Sequence, residues 1–231
     1  MSENDKKEIQ HLRTIKSFVM RKGRLTKGQA RALDELKEYQ IEFRDAPLNL
    51  EEVFGNDYPV VVEIGFGMGD SLVEMANNAP ETNFLGIEVH PPGVGNILNK
   101  MSENNLQNLK VIMHDAVDII DLNLEDESIS GFQVFFPDPW HKKRHHKRRL
   151  IQTELVEKLK RKLKIDGFIH CATDWEHYAF HMLETLSDIK GLSNKYENFA
   201  PRPESRPLTK FEKRGERLNH GVWDLIFLRT R

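Results

Sequence analysis

Cysteine is nearly absent from these 231 residues, and the single thiol, Cys171, excludes an intramolecular disulfide and any cysteine-based zinc finger. Long apolar runs are missing too. None approaches the ~18 residues a membrane span needs, and the polar start, MSENDKKEIQ, lacks the apolar stretch of a signal peptide. These absences lead us to expect a soluble cytoplasmic chain with no membrane partner. Net charge is also small, at −2, but it is unevenly spread. Residues 11–31 hold Arg13, Lys16, Arg21, Lys22, Arg24, Lys27 and Arg31 with no acid, and residues 141–149, HKKRHHKRR, carry six further cations. The rest of the chain is therefore strongly acidic. An acidic body with two concentrated basic patches suggests a polyanionic partner, although a solvated face or a nuclear-import tag would read the same way.

Residues 1–46 read as a basic extension, with helical spacing around Ala30–Phe43 and a break at Ala46-Pro47-Leu48-Asn49. Residues 47–231 read as one α/β domain. Its strands are VVVEIGFG, NFLGIEV, LKVIMHD, FQVFFPDPW, GFIHCATD and the closing HGVWDLIFLRTR. Helices are expected at Ser71–Asn77, Val94–Asn104, Arg149–Leu163 and Trp175–Leu186, the third on the stripe Leu150, Ile151, Leu155, Leu159 and Leu163. Strand and helix alternating over short links is the pattern of an open, mostly parallel sheet covered on both faces.

Residues 63–69, EIGFGMG, place glycines directly after the first strand, where a bare backbone lets a ligand approach. Glu88 follows at the end of the second strand, at the distance where a carboxylate commonly accepts from ribose hydroxyls. The spacing is G-x-G-x-G, and four strand ends carry an acid: Glu63, Glu88, Asp115 and Asp138. A dinucleotide needs open helix N–H groups for its pyrophosphate. S-adenosyl-L-methionine has no phosphate but has a sulfonium, an amine and a ribose, which suit carboxylates. Each acid alone could be a helix cap or loop carboxylate, but four in register favour S-adenosyl-L-methionine over NAD.

The fourth strand ends in FFPDPW. Pro137 and Pro139 stiffen the turn around Asp138, and Trp140 is an aromatic plane on which a base could stack, unless it packs in the core. The basic run follows at once. His141 and His145 have i,i+4 spacing, yet surrounding cations repel a divalent ion, so no metal is expected. Cys171 reads as a buried strand residue, since nothing nearby would activate a thiol.

The strings EIGFGMGDSL, GIEVHPPGVG, FFPDPWHKKRHHKRRL, ATDWEHY and RPLTKFEKRGERL make the chain resemble the bacterial tRNA (guanine-N7-)-methyltransferases of the TrmB type, over roughly residues 13–231. The resemblance implies a class I methyltransferase sheet of seven strands with the last antiparallel, S-adenosyl-L-methionine as cofactor, and tRNA as partner. It also implies a monomer or homodimer and the variable-loop guanosine, nucleotide 46 in tRNA convention, as target. By the same resemblance Glu63, Gly65, Glu88, Asp115 and Asp138 contact the cofactor, with Asp138 also catalytic. Lys142, Asp174, Thr209, Lys210, Phe211 and Glu212 bind the substrate. Arg144, His145, His146, Lys147, Arg148 and Arg149 contact RNA.

Three rivals remain at this point: a methyltransferase of the same fold acting on a small molecule or protein, an RNA-binding protein without catalysis, and a dehydrogenase. The basic patches speak against the first, the intact acids against the second, and the glycine spacing against the third. The segment Arg13–Arg31 is expected to order on tRNA and add phosphate contacts, its Gly23 and Gly28 opposing a stable free helix. Deleting residues 1–31 should weaken tRNA binding and flatten its salt dependence; titrations at several salt concentrations check this, and an unchanged slope refutes it.

Overall fold

In a computed structural model of the chain, the residues described are 17–18, 23–208, 212 and 221–231. Seven strands form one sheet in the order β3-β2-β1-β4-β5-β7-β6. The first five are parallel: β1 (Val60–Ile64), β2 (Asn83–Ile87), β3 (Leu109–Ile112), β4 (Ile129–Phe135) and β5 (Leu163–Thr173). The last strand, β7 (Trp223–Arg229), runs antiparallel between β5 and the short β6 (Leu192–Asn194). β1 and β2 are buried along their whole length, which explains their unbroken apolar sequences.

Successive residues of β1 point to opposite faces, so the chain builds two cores. Val60, Val62 and Ile64 pack with α5 (Ala116–Leu122), α6 (Thr153–Lys162) and α7 (Glu176–Ser187). Val61 packs with α1 (Lys27–Glu35), α3 (Asp70–Asn78) and α4 (Pro91–Glu103). A one-turn helix, α2 (Leu50–Phe54), lies between extension and sheet. Among the described residues no helix is long and apolar enough to cross a membrane.

Several sequence expectations change here. The helix expected at Ala30–Phe43 is α1, Lys27–Glu35, followed by a 3-10 turn at Lys37–Tyr39. Gly28 does not prevent it, because a capping box offsets the glycine cost: Gln29 N–H donates to Thr26 Oγ1, and Thr26 N–H donates to Gln29 Oε1. Ala32 and Tyr39 are buried in the second core, and Ile41 N–H donates to Val111 O beside β3. The part of the extension from residue 27 onward is thus packed into the body. A truncation that tests the arm must end by residue 22, and Arg13, Lys16, Arg21 and Lys22 lie outside the described residues.

The helix expected at Arg149–Leu163 starts later, at Thr153, because Lys143–Arg148 winds into a 3-10 turn first. It also ends earlier, with Leu163 opening β5. β6, α2 and α5 were not anticipated, and the glycines after Ile64 and the Pro-Asp-Pro segment after Phe135 are loops rather than strand.

The close seat of α1 on α4 depends on Gly95. A Cβ there would lie 2.7 Å from Gln29 O and 3.0 Å from Gln29 Cα, both backbone atoms that cannot swing aside. Gly95→Ala should destabilise the protein by about 1–3 kcal/mol, read as a lower urea midpoint.

Candidate active site

The turn after β1 passes through three left-handed glycines, Gly65 (φ 76), Gly67 (φ 59) and Gly69 (φ 76). A Cβ on Gly65 or Gly67 would meet nothing within 4 Å, so this side of the turn faces open space. Glu88 fastens the turn to the end of β2. Its Oε2 accepts from Gly67 N–H at 2.9 Å, and its Oε1 accepts from Val89 and His90 N–H at 2.7 and 3.0 Å. Lone pairs remain on Oε2 after one bond.

A cavity of about 240 Å³ opens beside this turn at the carboxyl edge of the sheet. Gly65, Glu88, Asp115 and Asp138 all line it, with Phe135, Phe136 and His114 adding ring surfaces. Asp115 also caps α5, its Oδ1 accepting from Val117 N–H at 3.2 Å. Glu63 sits differently. It is inside β1, not at its end, is 3% exposed, and does not line the cavity. Its Oε2 has no hydrogen-bond partner among the described residues. Burial first, and the Glu88 charge second, push its pKa up to about 8.

Three carboxyl groups on the cavity wall, the orphaned buried oxygen of Glu63 and an open glycine turn fit a ligand that is cationic and rich in hydroxyls. The donor set therefore suits S-adenosyl-L-methionine: Glu63 and Asp138 for cationic groups, Glu88 and Asp115 for hydroxyls.

Asp138 lies in a turn bracketed by two non-glycine residues with left-handed backbone, Phe136 (φ 52) and Trp140 (φ 48). Phe136 N–H donates to Ala172 O at 2.8 Å, and Trp140 Nε1 donates to Ser17 O at 3.2 Å. The Arg148 guanidinium is 4.0 Å from the Trp140 ring centroid. That face of the indole is covered, so a base could stack only on the opposite one.

His141 meets Trp175 edge-on, ring centroids 4.2 Å apart, so the loops carrying Lys142 and Asp174 adjoin without lining the cavity. Arg144 and Lys147 are exposed on the 3-10 turn, with Arg148, His145 and His146 half-exposed. Desolvation first, then neighbouring cations, hold both histidines below the usual imidazole range. The positive face therefore rests on Lys and Arg near neutral pH.

Two expected site residues are placed elsewhere. Arg149, expected on RNA, is 2% exposed and turned inward. Glu212, expected on substrate, is also 2% exposed, and both its oxygens accept from Arg206, at 2.7 and 2.6 Å. Thr209, Lys210 and Phe211 lie outside the described residues.

Arg206 had no place in the sequence reading. Its guanidinium also donates twice to Asp224, at 2.8 Å each, and Asp224 is 2.7 Å from His170 Nε2. This buried group backs the Phe135 and Phe136 rings, whose centroids lie 5.7 Å from the Arg206 guanidinium. An acid near the start of the apolar closing strand, Asp224, was its one available signal. Cys171, also in this region, is fully buried, and burial pushes its thiol up to about 12.

Residues 57–225 match a family model described as "Putative methyltransferase". The tRNA (guanine-N(7)-)-methyltransferase of Pseudoalteromonas translucida is 56% identical, over 99% of this chain and 96% of that one. Its namesake from Klebsiella pneumoniae is 56% identical over 95% and 93%. Among solved structures, the 16S rRNA methyltransferase KamB superposes with a TM-score of 0.59 at 14% identity, covering 80% of this chain and 95% of that one. The aminoglycoside resistance methyltransferase NpmB1 superposes with 0.53 at 16%, covering 78% and 92%. At such identities the two structures speak for the fold alone.

The raised Glu63 pKa has a consequence for stability. Its folded value lies above the unfolded one, so its contribution is full below about pH 4.5 and is lost as pH rises through about 8. The ligand-free protein should lose stability across that window. Glu63→Gln should flatten the slope and be the more stable of the two above pH 8, as urea unfolding at pH 5, 6.5 and 8.5 will show.

Proposed function

The chain belongs to the tRNA (guanine-N(7)-)-methyltransferase family, and from that membership we propose that it methylates N7 of the variable-loop guanosine of tRNA, nucleotide 46, with S-adenosyl-L-methionine as methyl donor. It does so as a cytoplasmic monomer or homodimer. One juxtaposition carries the reading. The acidic cavity and the basic 3-10 turn Lys143–Arg148 leave the same strand end, so a phosphate backbone held by the cations brings a base to the carboxylates.

The chemistry asks little proton transfer of the protein. Guanine N7 carries an in-plane lone pair and no proton at neutral pH, so no base is needed before attack. When bound, S-adenosyl-L-methionine supplies an electrophilic methyl group. The residues of the chain have to hold N7 in line with it, a positioning effect that can lower the barrier by several kcal/mol. They also have to favour the positive charge that develops on the purine.

Asp138 does both in this reading, accepting from guanine N–H groups or from the cofactor amine at a turn fixed by its two prolines. Glu63 is protonated at neutral pH without ligand, and a cation beside it favours its carboxylate form. Glu88 and Asp115 take the ribose hydroxyls. Lys142 and Asp174, on adjoining loops, hold the target nucleotide, which leaves its stack to reach the cavity. Arg144, Lys147 and Arg148 face phosphates.

Transfer from labelled S-adenosyl-L-methionine to an unmodified tRNA transcript, followed by borohydride reduction and aniline cleavage, tests this. Cleavage is expected at the variable-loop guanosine; cleavage elsewhere, or none, overturns the assignment. Asp138→Asn should lower the single-turnover rate by at least about tenfold, and a full rate with unchanged cofactor affinity would remove Asp138 from the mechanism.

A further inference from the structure

Arg149 stands in the most basic stretch of the sequence and yet points into the protein, 2% exposed. Its Nε donates to the Pro139 carbonyl at 3.0 Å, and its Nη2 lies 3.1 Å from His177 Nδ1. The guanidinium rests 4.7 Å from the ring centroid of Tyr178, which is itself fully buried and whose hydroxyl accepts from Ile151 N–H. Among the described residues no carboxylate lies within 4.0 Å of it. Its two acceptors are a carbonyl oxygen and an imidazole nitrogen, and burial lowers its pKa from the usual arginine value.

The acceptor it takes is informative. Pro137 and Pro139 have no N–H, so the Asp138 turn can be tied down by few backbone donors. Phe136 and Trp140, on either side, hold left-handed backbone that is strained in a non-glycine residue and persists only if the surroundings impose it. On the strand side, Phe136 N–H is held by Ala172 O. On the far side, the carbonyl of the residue after Asp138 is held by Arg149, through a charged donor in a buried setting where such bonds are strongest. His177, on α7, fixes the guanidinium in turn.

We propose that Arg149 is a positioning residue for Asp138: through Pro139 it fixes the turn that aims the carboxylate into the cavity, and it makes no contact with tRNA phosphates. The proposal rests on the reading that Asp138 acts in methyl transfer. It separates Arg149 from its sequence neighbours Lys147 and Arg148, whose work is electrostatic.

The test uses full-length Arg149→Lys, measured for thermal midpoint, cofactor affinity, tRNA affinity across a salt series, and single-turnover rate with tRNA and cofactor saturating. The expected result is a rate lowered by about 10- to 100-fold, since a small misplacement near the reacting atoms costs that much, with the salt slope of tRNA binding unchanged. A slope shallower by about one with the rate retained would make Arg149 a phosphate contact and overturn the proposal; so would an unaltered rate with an unaltered slope.

If Arg149→Lys does not fold, the exposed His177 supplies the second variant. His177→Leu removes an acceptor and should lower the rate several-fold, whereas His177→Asn, whose amide oxygen can take the place of Nδ1, should restore it. A full rate in His177→Leu overturns the proposal. Asp138→Asn in the same assay keeps the two ideas apart. If it is fully active, the role of Asp138 fails; if it is impaired while Arg149→Lys is not, only the positioning role fails.

Discussion

β1 pairs in parallel with β2 on one side and β4 on the other, and parallel neighbours cannot be joined by tight turns. The chain must therefore leave β1 toward one edge, build β2 and β3, and come back across to β4. The loops that follow β1 and β4 diverge as a result, and the gap between them cannot be closed by the sheet itself. The acidic cavity is arranged around that gap. The glycine turn borders it on one side, the Asp138 turn on the other, and Glu88 and Asp115 come from the next two strand ends. The basic 3-10 turn is where the chain goes immediately on leaving it.

Behind the gap, two buried arginines solve the same problem by opposite means. Arg206 is surrounded by carboxylates, with Glu212 and Asp224 each accepting two bonds from it and His170 extending the group. This joins β5, β7 and the segment between β6 and β7 through charge, and losing any one member would strand another in a region water does not reach. Arg149 has no such counter-ion within reach among the described residues and relies on a carbonyl, an imidazole and an aromatic face. The first arrangement pins down secondary structure. The second pins down a single turn, leaving the acid of that turn without a cationic partner of its own among the described ion pairs.

Much of the architecture was legible because buried parallel strands must be apolar throughout. VVVEI, NFLGI and LKVI could hardly be anything else, and Glu88 and Asp115, which follow the second and third, identify the carboxyl edge. Short elements were not legible. β6 has only three residues, none of them buried, and α5 is only seven residues long. The boundary at Leu163 was misread because Leu155, Leu159 and Leu163 share helical spacing, so nothing local says that the last belongs to a strand. In the site, Glu88, Asp115 and Asp138 follow from position along strands, which sequence records. The inward turns of Arg149 and Glu212 do not, because each depends on a partner in a different part of the chain. In a run such as HKKRHHKRR, composition reports how many charges there are and says nothing of which one folds under.

The sole thiol of the chain has a practical side. Cys171 is sealed inside β5 with no solvent-accessible surface, and its ionisation is displaced far into the alkaline range. Only the thiolate reacts with maleimides, iodoacetamides and peroxides. The native chain is accordingly blind to such reagents while folded. A cysteine placed anywhere on its surface would become the one reactive handle in the molecule, ready to carry a spin label or a fluorophore without prior removal of another.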